Sequence, residues 1–158
     1  IEVNCPVVLK RSRAKTEEET IMKINVDWQG DLEFNNHLPS GHDLTADAAE
    51  KSGGHNKGPR PMELMLSGLA GCTGIDVVLI LNKMKTELED FEMELDAERA
   101  EETPKRFTKI HITYKFKGQK LTERKVERAI NLSEEKYCSA SNSLNAEFTS
   151  SYEIEHTD

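Results

Sequence analysis

"GPRPMELMLSGLAGCTGIDVVLILNKM", residues 58–84, is the stretch whose reading decides the fold. From Met62 to Lys85 it is apolar on most sides, and Pro61 stands where the first turn of a helix tolerates a missing N–H. Ser67, Gly68, Ala70, Gly71 and Gly74 are small enough to let another backbone come close, and a helix here could break near Gly71 or Gly74. The segment reads as the central core helix. Cys72 sits in its middle. A buried cysteine is most often a small hydrophobe with an idle S–H, so the rest of the chain has to supply a reason for anything more.

On the N-terminal side, "AEKSGGHNKG" reads as a loop leading into the helix. Before it, Met22, Ile24, Val26 and Trp28 alternate with polar residues as one face of a strand. A turn at "QGD" (29–31) follows, then a second strand through Leu32 and Phe34 and a third around Leu44 to Ala46. Residues 1–21 carry a basic cluster (Lys10, Arg11, Arg13) and an acidic run (Glu17 to Glu19), the pattern of a solvated tail. The expected organisation is a tail over 1–21 and one domain over 22–158, with Cys5 a tail thiol.

On the C-terminal side, Phe91, Met93, Leu95 and Ala97 alternate with acids, and Ile110, Ile112, Tyr114 and Phe116 alternate with His111, Thr113 and Lys115. These predict a strand pair with His111 on its polar face. Val126, Ala129 and Ile130 fall at helical spacing, and Ser133 is placed to N-cap a short helix that contains Cys138. Ala146, Phe148, Ser150, Tyr152 and Ile154 form one face of a last strand. The order of elements predicts an α+β fold.

Composition narrows the function classes. The 158 residues carry a formal net charge of −8, with bases interspersed among acids, which argues against nucleic acid and anionic membrane surfaces as partners. No apolar run is expected to reach the roughly 20 residues of a bilayer span, and no signal-peptide pattern opens the chain, so the expected compartment is the cytoplasm. The three cysteines, Cys5, Cys72 and Cys138, are too few for a disulfide scaffold. None lies in a CxxC or Cys/His cluster that suggests zinc, so no metal and no cofactor is expected. A disulfide in a reducing compartment is more often transient and catalytic than structural.

Three blocks, "PMELMLSGLAGCTGIDVVLILNKM" (61–84), "ERAEETPKRFTKIHI" (98–112) and "VERAINLSEEKYCSA" (126–140), resemble in order and spacing the OsmC/Ohr group of thiol-dependent hydroperoxide reductases, closest to its YhfA-type branch. The resemblance implies an OsmC-like fold, with antiparallel sheets packed on a long central helix in an intertwined homodimer. It implies a peroxidatic Cys72 and a resolving Cys138, an organic hydroperoxide as substrate and an external thiol as reductant. General thiol chemistry then runs from thiolate to sulfenic acid to disulfide.

The chain departs from the pattern of the hydroperoxide-reducing members in its acid and its arginine. There the acid directly follows the helix-start proline and holds an arginine, whereas here Met62 follows Pro61 and the acid is Glu63. The Gly-Gly-Arg loop of the Ohr proteins is missing, which leaves Arg60, Arg99 and Arg106 as candidate activating cations. Glu63, standing for that acid, is a candidate catalytic residue beside Cys72 and Cys138; its alternative is a first-turn acid favoured by the helix dipole. Asp76, four residues after Cys72, shares its face if the helix is unbroken, and its charge would oppose a thiolate. Two function classes stay open, a thiol peroxidase and a non-catalytic dimer of the same fold that binds an apolar ligand or senses oxidants. The near-uniform apolarity of "GIDVVLILNKM" asks for cover on more than one side, which a second copy would provide.

Overall fold

A computed structural model describes residues 21–157 of the chain, so the expected tail, apart from Ile21, and Cys5 lie outside the described residues. The chain divides into two compact units, one ending at Pro59 and the other beginning at Arg60. The first is an antiparallel meander of β1 (Asn25–Gly30), β2 (Glu33–His37) and β3 (Asp43–Ala46). Gly30 and Asp31 make the expected turn with φ of 102° and 45°, and Trp28 stands opposite Phe34. Pairing starts at Asn25 rather than Met22, because β2 ends at His37, the residue opposite Asn25. The polar loop after β3 is pinned by buried Asp47, whose carboxylate accepts the N–H groups of Ala48, His55 and Lys57 at 2.7, 2.9 and 3.1 Å.

The second unit is built around α1 (Pro61–Lys83), a single uninterrupted helix of 23 residues. Neither suspected glycine breaks it. Gly71 faces open space, and Gly74 makes room for a strand: a Cβ there would stand 3.1 Å from Met93 Sδ. By length and hydropathy α1 could cross a bilayer, contrary to the expectation that no apolar run is long enough. Its interspersed Gly, Ser and Thr dilute the apolar pattern, yet the mean hydropathy of the helix stays high. A core helix of a globular protein has the same composition, and Leu69, Thr73, Val77, Ile80 and Leu81 are buried along one stripe.

That stripe serves one core with the second sheet. Strands β4 (Asp90–Arg99) and β5 (Phe107–Gly118) pair antiparallel, with Phe91, Met93, Leu95 and Ala97 opposite Phe116, Tyr114, Ile112 and Ile110. The two alternating patterns therefore mesh in register on one face. Phe107, Ile110, Ile112, Tyr114 and Phe116 are all buried in the cluster that holds Leu69, Val77 and Leu81. His111, on the other face, bonds Thr149 and Ser151 across the sheet at 2.8 and 3.0 Å.

Strand β6 (Glu147–His156) joins β5 in parallel, so the sheet is mixed rather than purely antiparallel. A parallel pairing requires a crossover, and here it runs through α2 (Glu123–Leu132), a π-helical turn over 133–137 and α3 (Ser139–Ser143). Thr122 caps α2 by accepting the Lys125 N–H, and Val126, Ala129 and Ile130 are its buried face. Ser133 is not the N-cap of a new helix. It continues the turn of α2, is fully buried, and donates its hydroxyl to the Thr73 carbonyl at 3.4 Å. Cys138 consequently lies after that turn rather than inside it, and is itself the N-cap of α3.

Candidate functional site

Two segments that are far apart in sequence bring the thiols together. Cys72 comes from the middle of α1, which runs on unbroken, so Asp76 one turn later shares its face. Cys138 comes from the crossover, aimed by three ties. Its own N–H bonds Ser133 O at 2.8 Å, Ser133 bonds α1, and Glu134 accepts the buried Tyr114 hydroxyl at 3.1 Å and the Ser150 hydroxyl at 3.3 Å. The sulfurs of Cys72 and Cys138 and a carboxylate oxygen of Asp76 all lie within 4.8 Å of one another. Both cysteines are free thiols, Cys72 half-buried and Cys138 fully buried.

The hydrogen-bond donors around the sulfurs come from hydroxyls and from the start of α3. Cys138 Sγ meets the Thr73 hydroxyl at 3.3 Å and accepts the Ser141 N–H at 3.4 Å. Burial opposes charge on Cys138, but Thr73, Ser141 and the Cys72 thiol outweigh it and hold this thiol below its ordinary range. For Cys72 the Ala140 N–H favours the thiolate, yet burial together with the neighbouring Cys138 pushes the thiol up. The two thiols are thus pushed in opposite directions, Cys138 toward the thiolate and Cys72 toward the thiol.

The site residues read from the sequence fare differently. Cys72, Cys138 and Asp76 converge. Glu63 does not join them: its carboxylate accepts the Arg60 N–H at 2.9 Å as an N-terminal cap of α1, about 13 Å of helix rise from Cys72. The Arg99 and Arg106 guanidiniums donate to the carbonyls of Lys105, Phe107 and Asn145. With Met62, Met65, Phe107 and Leu144 they line a separate cavity of about 440 Å³. Thr73 and Ser141 were missed. Thr73 follows Cys72 directly but points into the core, which is visible only once the buried stripe of α1 is known. Ser141 stands three residues after Cys138, the spacing of an N-cap contact, and that signal was available.

One oxygen of the Asp76 carboxylate is informative as well. Asp76 Oδ2 is buried and has no hydrogen-bond partner among the described residues, a costly state for a carboxylate. Two thiols and one acid gathered within 4.8 Å of one another are a set that can exchange a proton, close a disulfide, or bind a thiophilic ion.

Comparison with known proteins identifies the family. The OsmC-like protein family model matches residues 54–153. Protein YhfA of Escherichia coli K12 is 40% identical over 135 residues, covering 84% of this chain and 98% of that protein. A hypothetical protein from Aquifex aeolicus VF5 superposes with a TM-score of 0.71 at 31% identity, over 86% of this chain and 98% of the other. An organic hydroperoxide resistance protein OsmC from Legionella pneumophila shares the fold, with a TM-score of 0.64 at 21% identity over 89% of this chain and all of the other. The matched stretch contains both thiols, Asp76 and the crossover that unites them, and on these grounds the chain belongs to the OsmC-like family.

Proposed function

We propose that this protein reduces organic hydroperoxides, with Cys72 as the attacking sulfur and Cys138 as the resolving one, and that it works as a homodimer recharged by an external thiol. The observation that carries this reading is the approach of the two sulfurs within 4.8 Å, which leaves a closure of under about 3 Å to the roughly 2.05 Å of a disulfide. The description of the Legionella relative as an organic hydroperoxide resistance protein supports the substrate class.

The chemistry balances with the groups present. Cys72 is the more accessible sulfur and meets the peroxide. Its proton passes to the Cys138 thiolate, the Cys72 sulfur attacks the distal oxygen, and the O–O bond breaks. The departing alkoxide takes the proton from Cys138 and leaves as an alcohol, with Cys72 now a sulfenic acid. The Cys138 thiolate then attacks the Cys72 sulfur, the S–S bond forms, and hydroxide leaves as water on gaining a proton. An external dithiol restores both thiols by exchange.

The raised Cys72 thiol and the Asp76 carboxylate beside it favour a second reading, slow oxidation of an oxidant sensor. Cumene hydroperoxide consumption with dithiothreitol as reductant separates the two. Multiple turnovers lost in Cys72→Ser support the reductase; a single stoichiometric oxidation to the disulfide supports the sensor, and equal consumption by wild type and Cys72→Ser refutes both.

Homodimer formation is supported by α1, whose outer side leaves Met65, Ile75 and Leu79 exposed at 44%, 62% and 51%. An apolar stripe of this kind on a core helix favours a two-fold mate. Sedimentation at low micromolar concentration tests it, and a folded 17.9 kDa monomer refutes it.

A further inference from the structure

We propose that Cys72, Cys138 and Asp76 form a three-ligand site for a thiophilic divalent cation, zinc by its chemistry, when the thiols are reduced. The three ligand atoms already lie within 4.8 Å of one another. A tetrahedral zinc with Zn–S of about 2.3 Å and Zn–O of about 2.0 Å holds its ligands roughly 3.5 to 3.8 Å apart, so the side chains close by about 1.3 Å or less. Two thiolates and a carboxylate are a zinc donor set, and three protein ligands leave the fourth position to water.

Three further observations point to a cation. Asp76 Oδ2 is buried without a hydrogen-bond partner among the described residues, so this oxygen lacks the partner that its burial demands. The Cys138 sulfur already accepts donors suited to a metal-bound thiolate, the Thr73 hydroxyl and the Ser141 N–H. Such outer contacts orient ligands and disperse their charge. Asp76 beside the sulfurs opposes a bare thiolate but strengthens a metal site, where the cation's charge dominates.

The same two sulfurs would also make the disulfide, so ion and disulfide exclude each other. The inference does not depend on peroxide turnover. It needs only that the two thiols be reduced, and its test reads metal rather than activity.

The experiment titrates reduced, chelator-stripped full-length protein with zinc against a chromophoric chelator, and with cobalt(II) to read thiolate-to-metal charge-transfer absorption. One zinc per chain is expected, with a Kd of about 1 μM or tighter. Asp76→Asn should weaken binding about tenfold or more, and Cys72→Ser with Cys138→Ser should remove the cobalt band, while Cys5→Ser changes neither. Circular dichroism confirms that the variants fold. Wild type oxidised by diamide, which takes two electrons and two protons from the thiol pair, needs no substitution and should not bind. The proposal is overturned by the absence of stoichiometric binding. It is overturned equally by zinc that persists in the double cysteine variant, since other groups would then hold the ion. Affinity unchanged in Asp76→Asn also overturns it, since Asp76 would then await a cationic side chain.

Discussion

Tyr114→Phe removes one oxygen atom from the centre of the protein and tests how the crossover is held. The ring lies near-parallel to Phe91 and Phe116, with centroids 6.4 and 6.2 Å away, and phenylalanine keeps that stack. What is lost is the hydrogen bond that the fully buried hydroxyl donates to Glu134 at 3.1 Å. A bond to a charged acceptor is worth about 1.5–3 kcal/mol net. Glu134 keeps the Ser150 hydroxyl and partial access to water, so the expected loss near neutral pH is about 1–2 kcal/mol.

The pH dependence sharpens the test. Burial first, and then the Glu134 carboxylate, push the Tyr114 hydroxyl far above its ordinary range. The folded chain therefore keeps this proton where the unfolded chain releases it, so stability is fully present below about pH 10 and falls as pH rises beyond it, by roughly 1.4 kcal/mol per unit. The phenylalanine variant has no such proton. Its deficit against wild type should shrink to near zero by about pH 11. Urea unfolding of both proteins at one fixed concentration, from neutral to alkaline pH, measures the gap. A deficit that is absent at neutral pH, or that persists unchanged in alkali, refutes the buried Tyr114–Glu134 bond as the anchor of this turn.

Thr73→Val should slow oxidation of the thiol pair at neutral pH by about tenfold, since a hydrogen bond of roughly 1.4 kcal/mol to the Cys138 sulfur is removed at constant volume; a rate unchanged in stopped-flow disulfide formation contradicts it. Gly74→Val should cost about 1–3 kcal/mol in urea unfolding, because the new side chain enters the space beside Met93 and Phe91. Leu81→Ala, emptying a fully buried site, should cost about 2–5 kcal/mol by the same measurement. Glu63→Ala should cost about 1 kcal/mol through the lost helix cap, and a collapse of peroxide reduction in the still-folded variant would instead mark Glu63 as part of the chemistry.

Periodicity carried most of the secondary structure. Alternation at Phe91 to Ala97 and Ile110 to Phe116 located β4 and β5, Pro61 marked the start of α1, and the turn at Gly30 and Asp31 was legible from residue type. These are local signals, set by which side chains can face a core and which backbone angles a residue tolerates. The resemblance in three blocks reached further, to the family, and it singled out Cys72 and Cys138, which the fold brings within 4.8 Å of each other.

The sequence by itself could not show that Ser133 continues α2 instead of starting a helix, that β6 runs parallel to β5, or that Thr73 meets Cys138. Each depends on packing between residues about forty to sixty positions apart, where burial on a neighbouring element overrides local preference. The site is the sharpest case. Cys72 and Asp76 are one helical turn apart and their neighbourhood follows from the helix alone, provided that it does not break. Whether Cys138 joins them was settled only by the crossover that returns the chain to α1, and by the buried bonds of Ser133 and Tyr114 that hold it there. The proton balance of the thiols follows from the same placement, because it depends on distances between charges and dipoles that only the assembled core sets.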